Sequence, residues 1–151
     1  MKAIMCLCSL VTWATAAQAC MLIGDSITEG TARYLPECAS KARSGLTSAQ
    51  ILERTRHEKG PVAISAGSND PRNPELEANL RGIRQRISGQ PVVWVLPMMP
   101  EARRKVQSVA DDNGDLTVGF APREDWTHPA SYAELAAALR TTMALAARPR
   151  D

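Results

Sequence analysis

The sequence predicts an α/β fold in which a parallel sheet of five strands lies between two layers of helices. Short apolar runs alternate with segments of helical spacing, and glycine or proline separates most of them. Strands that alternate with helices through short connections pair in parallel, by right-handed crossovers. The length of 151 residues fits one domain of this class.

The five strands are predicted from apolar runs that end at a turn residue. The two clearest are residues 62–66, which end before Gly67, and residues 92–96, which end before Pro97. Continuous apolar runs of this kind are typical of strands buried on both faces. The remaining strands are predicted over residues 20–23, 38–43 and 116–120.

Helices are predicted between the strands and after the last one. The strongest start is Asn73-Pro74-Glu75, which combines a capping side chain, a proline suited to the first turn and an acidic residue. This start predicts a helix that continues to about residue 88. The other helices are predicted over residues 27–35, 48–59, 101–111 and 132–147.

The helical spacing also predicts which side chains face the core. In the second helix, Ala49 and Leu52 are predicted on the inner side. In the last helix, the predicted inner side includes Leu135, Leu139 and Leu145.

Residues 1–19 have the pattern of a secretory signal peptide. Lys2 provides the positive charge, residues 3–14 are apolar or small, and Ala17-Gln18-Ala19 offers a small-x-small cleavage site. A buried first helix is the alternative interpretation. We therefore expect a domain over residues 20–151 that is secreted or periplasmic.

Cleavage after residue 19 leaves two cysteines, Cys20 and Cys38, in the domain. In an oxidising compartment such a pair is a candidate disulfide. Lipid modification of Cys20 is the alternative. It fits less well, because Gln18 occupies a position that favours a small residue and no linker precedes the first strand.

Composition excludes several function classes. The net charge of +2, from 18 basic and 16 acidic residues, gives no support for nucleic-acid binding. Aromatic residues make up only 4%, which argues against a base-stacking platform or a deep aromatic sugar groove. After residue 20 no apolar segment is long enough to span a bilayer, so no integral membrane segment is expected once the signal is removed.

Polar residues follow the predicted strands at the edge where ligands bind in open parallel sheets. Gly24-Asp25-Ser26 follows the first strand, Ser44-Gly45 the second, Gly67-Ser68-Asn69-Asp70 the third and Asp125-Trp126-Thr127-His128 the fifth. Each segment alone is most simply a turn or a helix cap. Together they place a hydroxyl, an amide and an imidazole on one rim of the sheet. There a carboxylate can hold the histidine tautomer while its other nitrogen takes a proton from serine.

In this order, the segments Gly24-Asp25-Ser26, Gly45, Gly67-x-Asn69-Asp70 and Asp125-x-x-His128 resemble the four sequence blocks of the SGNH hydrolases, also called the GDSL lipase/esterase family. Tyr132 and Leu135 match the usual continuation of the last block. The resemblance implies a three-layer α/β/α sandwich with a flavodoxin-like, five-stranded parallel sheet. It covers essentially the whole predicted domain.

The resemblance also implies a role for each matching residue. Ser26 is the expected nucleophile, His128 the general base and Asp125 the acid that orients it. An acyl-serine mechanism with these groups requires no metal or organic cofactor.

The expected oxyanion hole consists of the backbone N–H groups of Ser26 and Gly45 and the side chain of Asn69. Asp25 and Asp70 are expected to shape the loops that carry these groups.

The strand order of the family makes the first two strands parallel neighbours. Cys20 and Cys38 then lie together at the edge opposite the active site, where a disulfide is geometrically possible.

The function implied is that of a secreted serine esterase acting on a small acyl-ester substrate, such as O-acetyl groups on carbohydrate. The short loops leave no room for a lid or a large acyl tunnel. The alternatives are a lysophospholipase or thioesterase of the same family, or a non-catalytic binding module that keeps the fold. Trp126, inside the Asp–His segment, either walls the pocket or packs against the domain.

Overall fold

Five parallel strands form one sheet in a computed structural model that describes residues 20–148. The strands are β1 (Cys20–Gly24), β2 (Cys38–Ser40), β3 (Val62–Ser65), β4 (Val92–Val95) and β5 (Leu116–Val118). Their order across the sheet is β2-β1-β3-β4-β5, and every neighbouring pair is parallel. The predicted signal peptide lies outside the described residues and stays a prediction.

Five helices cover the two faces of the sheet. They are α1 (Ser26–Ala32), α2 (Ser48–Arg54), α3 (Leu76–Arg86), α4 (Pro100–Asn113) and α5 (Tyr132–Ala146). Helices α1 and α5 pack together on one face, and α2, α3 and α4 form the layer on the other. The predicted three-layer α/β sandwich is therefore confirmed. Within residues 20–148, none of the helices combines the length and apolar composition needed to cross a membrane.

The core consists of two clusters, one on each face of the sheet. Ile23, Ile64 and Trp94 belong to the cluster under α2, α3 and α4. Leu22 and Val93 belong to the cluster under α1 and α5. Adjacent residues of one strand thus enter opposite clusters, as the pleat requires. This explains why the strands are continuous apolar runs rather than alternating ones.

The largest buried side chain, Trp94, has a fixed polar partner. Its indole N–H donates to Asp115 Oδ2 over 3.0 Å, and Arg84 Nε donates to the same oxygen over 2.7 Å. The carboxylate therefore satisfies a buried indole and pairs with a mostly buried guanidinium. Asp115 joins β4, the end of α3 and the start of β5.

Helix α2 is shorter than the sequence predicts, and one of its two predicted inner residues is exposed, whereas the other, Leu52, packs against the core. It ends at Arg54 rather than near residue 59, because Thr55 adopts an extended backbone with ψ of 133°. Ser48 and Ile51 are its buried residues, whereas Ala49 is exposed. The predicted inner position of Ala49 is wrong, because hydrogen bonds from other segments hold Ser48 inside.

One inner position of α5 also differs from the expectation. Met143 is buried and Leu145 is 47% exposed. The buried stripe therefore continues from Leu135 and Leu139 in steps of four residues, which is the spacing of one helix face.

A disulfide joins Cys20 to Cys38, as expected. The two cysteines are register partners at the amino ends of β1 and β2, with their Cα atoms 4.6 Å apart. The bond uses the Cys20 sulfur that lipid modification would need. It lies at the opposite ends of the strands from the polar loops.

Candidate active site

Ser26 lies at the tight turn between β1 and α1. Asp25 is the N-cap of α1, and its Oδ1 accepts the Ile27 N–H over 3.0 Å. Gly24 has φ of +142°, and a Cβ there would lie 2.1 Å from the Ser65 carbonyl oxygen. Only glycine fits this position, and the turn that it allows places Ser26 first in the helix.

Asp25 is fully buried beneath the turn. Its Oδ1 also accepts the Ser65 hydroxyl over 2.6 Å, whereas Oδ2 has no hydrogen-bond partner among the described residues. Burial raises the pKa of Asp25, and the hydrogen bonds from Ser65 and Ile27 only partly oppose this. The side chain shapes the turn, in line with the expectation.

Ser26, His128 and Asp125 form a continuous chain of hydrogen bonds. Ser26 Oγ lies 2.9 Å from His128 Nε2, although the residues are 102 positions apart in sequence. His128 Nδ1 lies 2.8 Å from Asp125 Oδ2. When Nδ1–H donates to the carboxylate, Nε2 is left to accept the serine proton. The structure thus brings together the three side chains expected to form the triad.

Hydrogen bonds from its own loop keep Asp125 ionised. The backbone N–H groups of His128 and Thr127 donate to Oδ1 over 2.8 and 2.9 Å. Arg123 Nε donates to Oδ2 over 2.7 Å. The N–H groups of His128 and Thr127, then the His128 ring and Arg123, hold the pKa of Asp125 well below its usual range. The carboxylate therefore stays charged and fixes the orientation of the ring.

Gly45 lies on a turn that is held on both sides. Its φ is +79°, a region that favours glycine. On one side, the Ser44 N–H donates to Glu29 Oε2 over 3.0 Å, and the Ser44 hydroxyl donates to the same oxygen. On the other side, Asn69 Nδ2 donates to the Leu46 carbonyl over 3.0 Å. These contacts fix the backbone that carries the Gly45 N–H.

Asn69 keeps donor capacity after this contact, because an amide nitrogen carries two hydrogens and Leu46 takes one of them. Asp70, the next residue, accepts the Ser48 N–H and the Ser48 hydroxyl, the latter over 2.5 Å. Asp70 thus ties the loop after β3 to the start of α2. Of the two side chains, that of Asn69 is the more exposed.

A cavity of about 240 Å³ lies beside Ser26 and His128. Its other walls come from α1, the Ser44 turn, the Arg123 loop and the start of α5. They include Gly30, Arg33, Tyr34 and Tyr132. A Cβ at Gly30 would lie 2.4 Å from the Tyr132 ring, so glycine lets the ring approach α1. Partial burial raises the pKa of the Tyr132 hydroxyl.

Two residues that hold the site in place were not expected from the sequence. Glu29 is three positions after Ser26 on α1, a spacing that places both on one side of the helix. Arg123 precedes Asp125 by two residues and bonds it directly. Their spacing from Ser26 and Asp125 is the signal that points to them. In the described part of the chain, no group of three or more His, Cys, Asp or Glu side chains is arranged to hold a metal ion.

The fold is similar to that of a solved domain of a carbohydrate-modifying enzyme. This is the C-terminal catalytic domain of peptidoglycan O-acetyltransferase A from Streptococcus pneumoniae, solved with a methylsulfonyl adduct. The TM-score is 0.51 and the identity 18%, over 85% of this chain and 96% of that one. At this identity the similarity concerns the fold. No family model and no curated protein matches the chain.

Proposed function

We propose that this protein is a serine esterase that transfers a short acyl group from an ester to water through an acyl-Ser26 intermediate. The observation that carries the proposal is the hydrogen-bonded chain from Ser26 through His128 to Asp125. A hydroxyl, an imidazole and an ionised carboxylate in this order form the arrangement that activates serine in acyl transfer.

In the first half of the reaction, Ser26 Oγ attacks the ester carbonyl carbon while His128 Nε2 takes its proton. Asp125 stabilises the imidazolium that results. The tetrahedral intermediate collapses, the C–O bond to the alcohol breaks, and His128 returns the proton to the departing alkoxide oxygen. The acyl group remains on Ser26.

The negative charge that develops on the carbonyl oxygen needs donors fixed in advance. The Ser26 N–H, the Gly45 N–H and the Asn69 amide are the proposed donors, and Glu29 and Leu46 hold the Gly45 turn from either side. Removal of one such donor raises a barrier of this kind by about 2.7–4 kcal/mol.

In the second half, water replaces the alcohol. His128 Nε2 takes a proton from the water as it attacks the acyl-serine, and then returns a proton to Ser26 Oγ as the carboxylic acid leaves. The His128 side chain is 25% exposed, so water has access to it.

The size of the cavity favours a short acyl group. Its volume of about 240 Å³ is below the roughly 300–1,000 Å³ of pockets that enclose drug-sized ligands. An acetyl group with part of the alcohol fills a space of this size, whereas the chain of a lysophospholipid would extend beyond it. We therefore favour a short-chain esterase over a lysophospholipase.

The proposed alcohol is a carbohydrate, and the fold neighbour supports this, since it is described as a peptidoglycan O-acetyltransferase. The same comparison favours one further candidate, in which a sugar hydroxyl rather than water accepts the acyl group. The disulfide supports an oxidising location, so we propose that the domain acts outside the cytoplasm.

The test is a chain-length series of nitrophenyl esters together with acetylated oligosaccharides, using the wild type and a Ser26→Ala variant. We expect the fastest turnover with acetyl or propionyl esters and a loss of at least about 10⁴-fold in Ser26→Ala. Ser108→Ala, which removes an exposed hydroxyl from α4, is the matched control and keeps full turnover.

Each alternative has its own signature in the same experiment. A maximum at long acyl chains indicates a lysophospholipase. Acetyl appearing on an unacetylated oligosaccharide, in place of free acetate, indicates a transferase. If no turnover depends on Ser26, the protein is a non-catalytic binding module that keeps the fold.

A further inference from the structure

Trp126 has the most exposed large apolar side chain among the described residues, at 71%. It lies between Asp125 and His128, in the segment that carries two of the three proposed catalytic side chains. Its side chain is mostly exposed and is not among the residues that line the 240 Å³ cavity, so both expected positions, in the wall of the pocket and packed against the domain, are wrong. An indole left in water beside a reactive centre is a surface that a ligand can cover.

The backbone of Trp126 is held in a conformation that its side chain disfavours. Its φ is +54°, and among residues 20–148 it is the only non-glycine residue with a positive φ. Glycine is the residue normally found in this region, and a bulky side chain there is uncommon. A strained backbone that carries an exposed ring, in the loop that also carries Asp125 and His128, points to a function for the ring.

Backbone contacts hold the loop that carries the indole. Its base is closed by a β-bridge between Pro122 and Pro129. Within it, the Arg123 N–H donates to the His128 carbonyl over 2.9 Å, and the Trp126 N–H donates to the Arg123 carbonyl over 3.0 Å. These contacts fix the backbone from which the indole projects, so little backbone entropy is lost when a ligand covers it.

We propose that Trp126 is a carbohydrate subsite, on which a pyranose ring of the substrate stacks with its apolar face while an adjoining acetyl ester enters the cavity. This rests on the proposed function and names the substrate class as an oligosaccharide or polysaccharide. Tryptophans that become buried when a complex forms are among the residues that most often dominate its binding energy. The subsite lies outside the 240 Å³ cavity, so it recognises sugar that the cavity does not enclose.

The first test measures binding without turnover. The chain has three tryptophans, Trp13, Trp94 and Trp126, of which Trp94 is fully buried. In a Trp13→Phe/Ser26→Ala double variant, iodide quenching of tryptophan fluorescence therefore reports on the exposed Trp126. Chitotetraose, cellotetraose and xylotetraose serve as probes. We expect at least one to shift the emission and to protect it from iodide quenching. The proposal is overturned if all three leave both unchanged.

The second test compares substrates. Trp126→Asn accepts the positive φ but lacks the ring, whereas Trp126→Phe keeps a ring. We expect Trp126→Asn to lower the ratio of kcat/KM on acetylated tetrasaccharide to kcat/KM on 4-nitrophenyl acetate by at least about fivefold. Trp126→Phe should lower it by less. An unchanged ratio in Trp126→Asn contradicts the subsite.

The thermal stability of a Trp126 variant distinguishes a role of the indole in ligand recognition from a role in packing. Trp126→Gly relieves the backbone conformation, so we expect its Tm to equal or exceed that of the wild type. A Tm several degrees lower shows that the indole packs and overturns the proposal. The proposed function is tested separately, because its failure appears as ester turnover that Ser26→Ala leaves intact, whatever Trp126 binds.

Discussion

Ser44 gives both of its hydrogen-bond donors to one oxygen of Glu29, which lies one turn after Ser26 on the same helix. This contact ties the Gly45 turn to the helix that begins with the proposed nucleophile. The nucleophile and one proposed oxyanion donor therefore share a single support. Glu29 is a positioning residue in this account.

Removal of the Glu29 carboxylate is expected to slow catalysis more than it weakens binding. Glu29→Ala frees the Ser44 turn, so we expect kcat to fall by about tenfold or more, while KM changes by less than about threefold. Glu29→Gln keeps an acceptor oxygen and should restore part of kcat. Steady-state kinetics on 4-nitrophenyl acetate decide this, with the exposed Glu53→Ala as control. A rise in KM at constant kcat contradicts the positioning role.

The buried Asp25 predicts a pH-dependent difference in stability. Its pKa is raised in the folded protein by burial, so below about pH 4 the folded and unfolded chains both hold the proton. As the pH rises, the unfolded chain releases this proton while the folded chain resists, and the folded state loses stability. Asp25→Asn keeps an oxygen for Ser65 and Ile27 and has no such loss.

The free energy of unfolding of Asp25→Asn, minus that of the wild type, should therefore increase from pH 4 to pH 7. Urea titrations at several pH values measure it. Asp111→Asn, at an exposed position of α4, controls for the change in net charge. A difference that stays constant across this range contradicts a raised pKa at Asp25.

Asp115 and Asp112 provide a matched pair of carboxylates with different burial. The Asp115 and Arg84 side chains are 3% and 14% exposed, whereas Asp112 and its partner Arg81 are 54% and 45% exposed. Asp115→Ala leaves a guanidinium and the Trp94 indole unpaired, so we expect a loss of about 3–5 kcal/mol. Asp112→Ala should lose less than about 1 kcal/mol. Similar losses from chemical denaturation would refute the structural role of Asp115.

The disulfide is expected to contribute to stability without affecting the site. Cys20 and Cys38 are 18 positions apart, and closing a loop of about this length stabilises a fold by about 3 kcal/mol. The double variant Cys20→Ser/Cys38→Ser should lose about this amount. Because the bond lies at the amino ends of the strands, kcat/KM of the folded variant should change by less than about twofold. A large loss of activity at full folding would show that the two ends of the sheet are coupled.

The sheet was predictable because its strands are buried on both faces. Residues 62–66 and 92–96 are continuous apolar runs closed by Gly67 and Pro97, and both became central strands. The burial of Ser48 rather than Ala49 in α2 was not predictable, since Ser48 is held inside by Asp70 and Asn79 from other segments. Periodicity reports apolar faces and contains no information on such polar partners.

The candidate site was likewise predictable in part. The carboxyl ends of parallel strands share one edge, so Ser26, Asn69 and His128 could be expected together once the strands were assigned. Glu29 was missed because its partner, Ser44, comes from a different loop. Trp126 was not predicted to be exposed, and its positive φ is a conformation that no propensity assigns to tryptophan.

Covalent labelling of the wild-type protein with a fluorophosphonate or a sulfonyl fluoride tests most directly whether Ser26 is a nucleophile activated by His128. Intact mass followed by peptide mapping locates the adduct without knowledge of the natural substrate. We expect one adduct per chain, on Ser26, which is lost in Ser26→Ala and forms much more slowly in His128→Ala. An unlabelled wild type, or a label on another residue with turnover that survives Ser26→Ala, would contradict this role of Ser26.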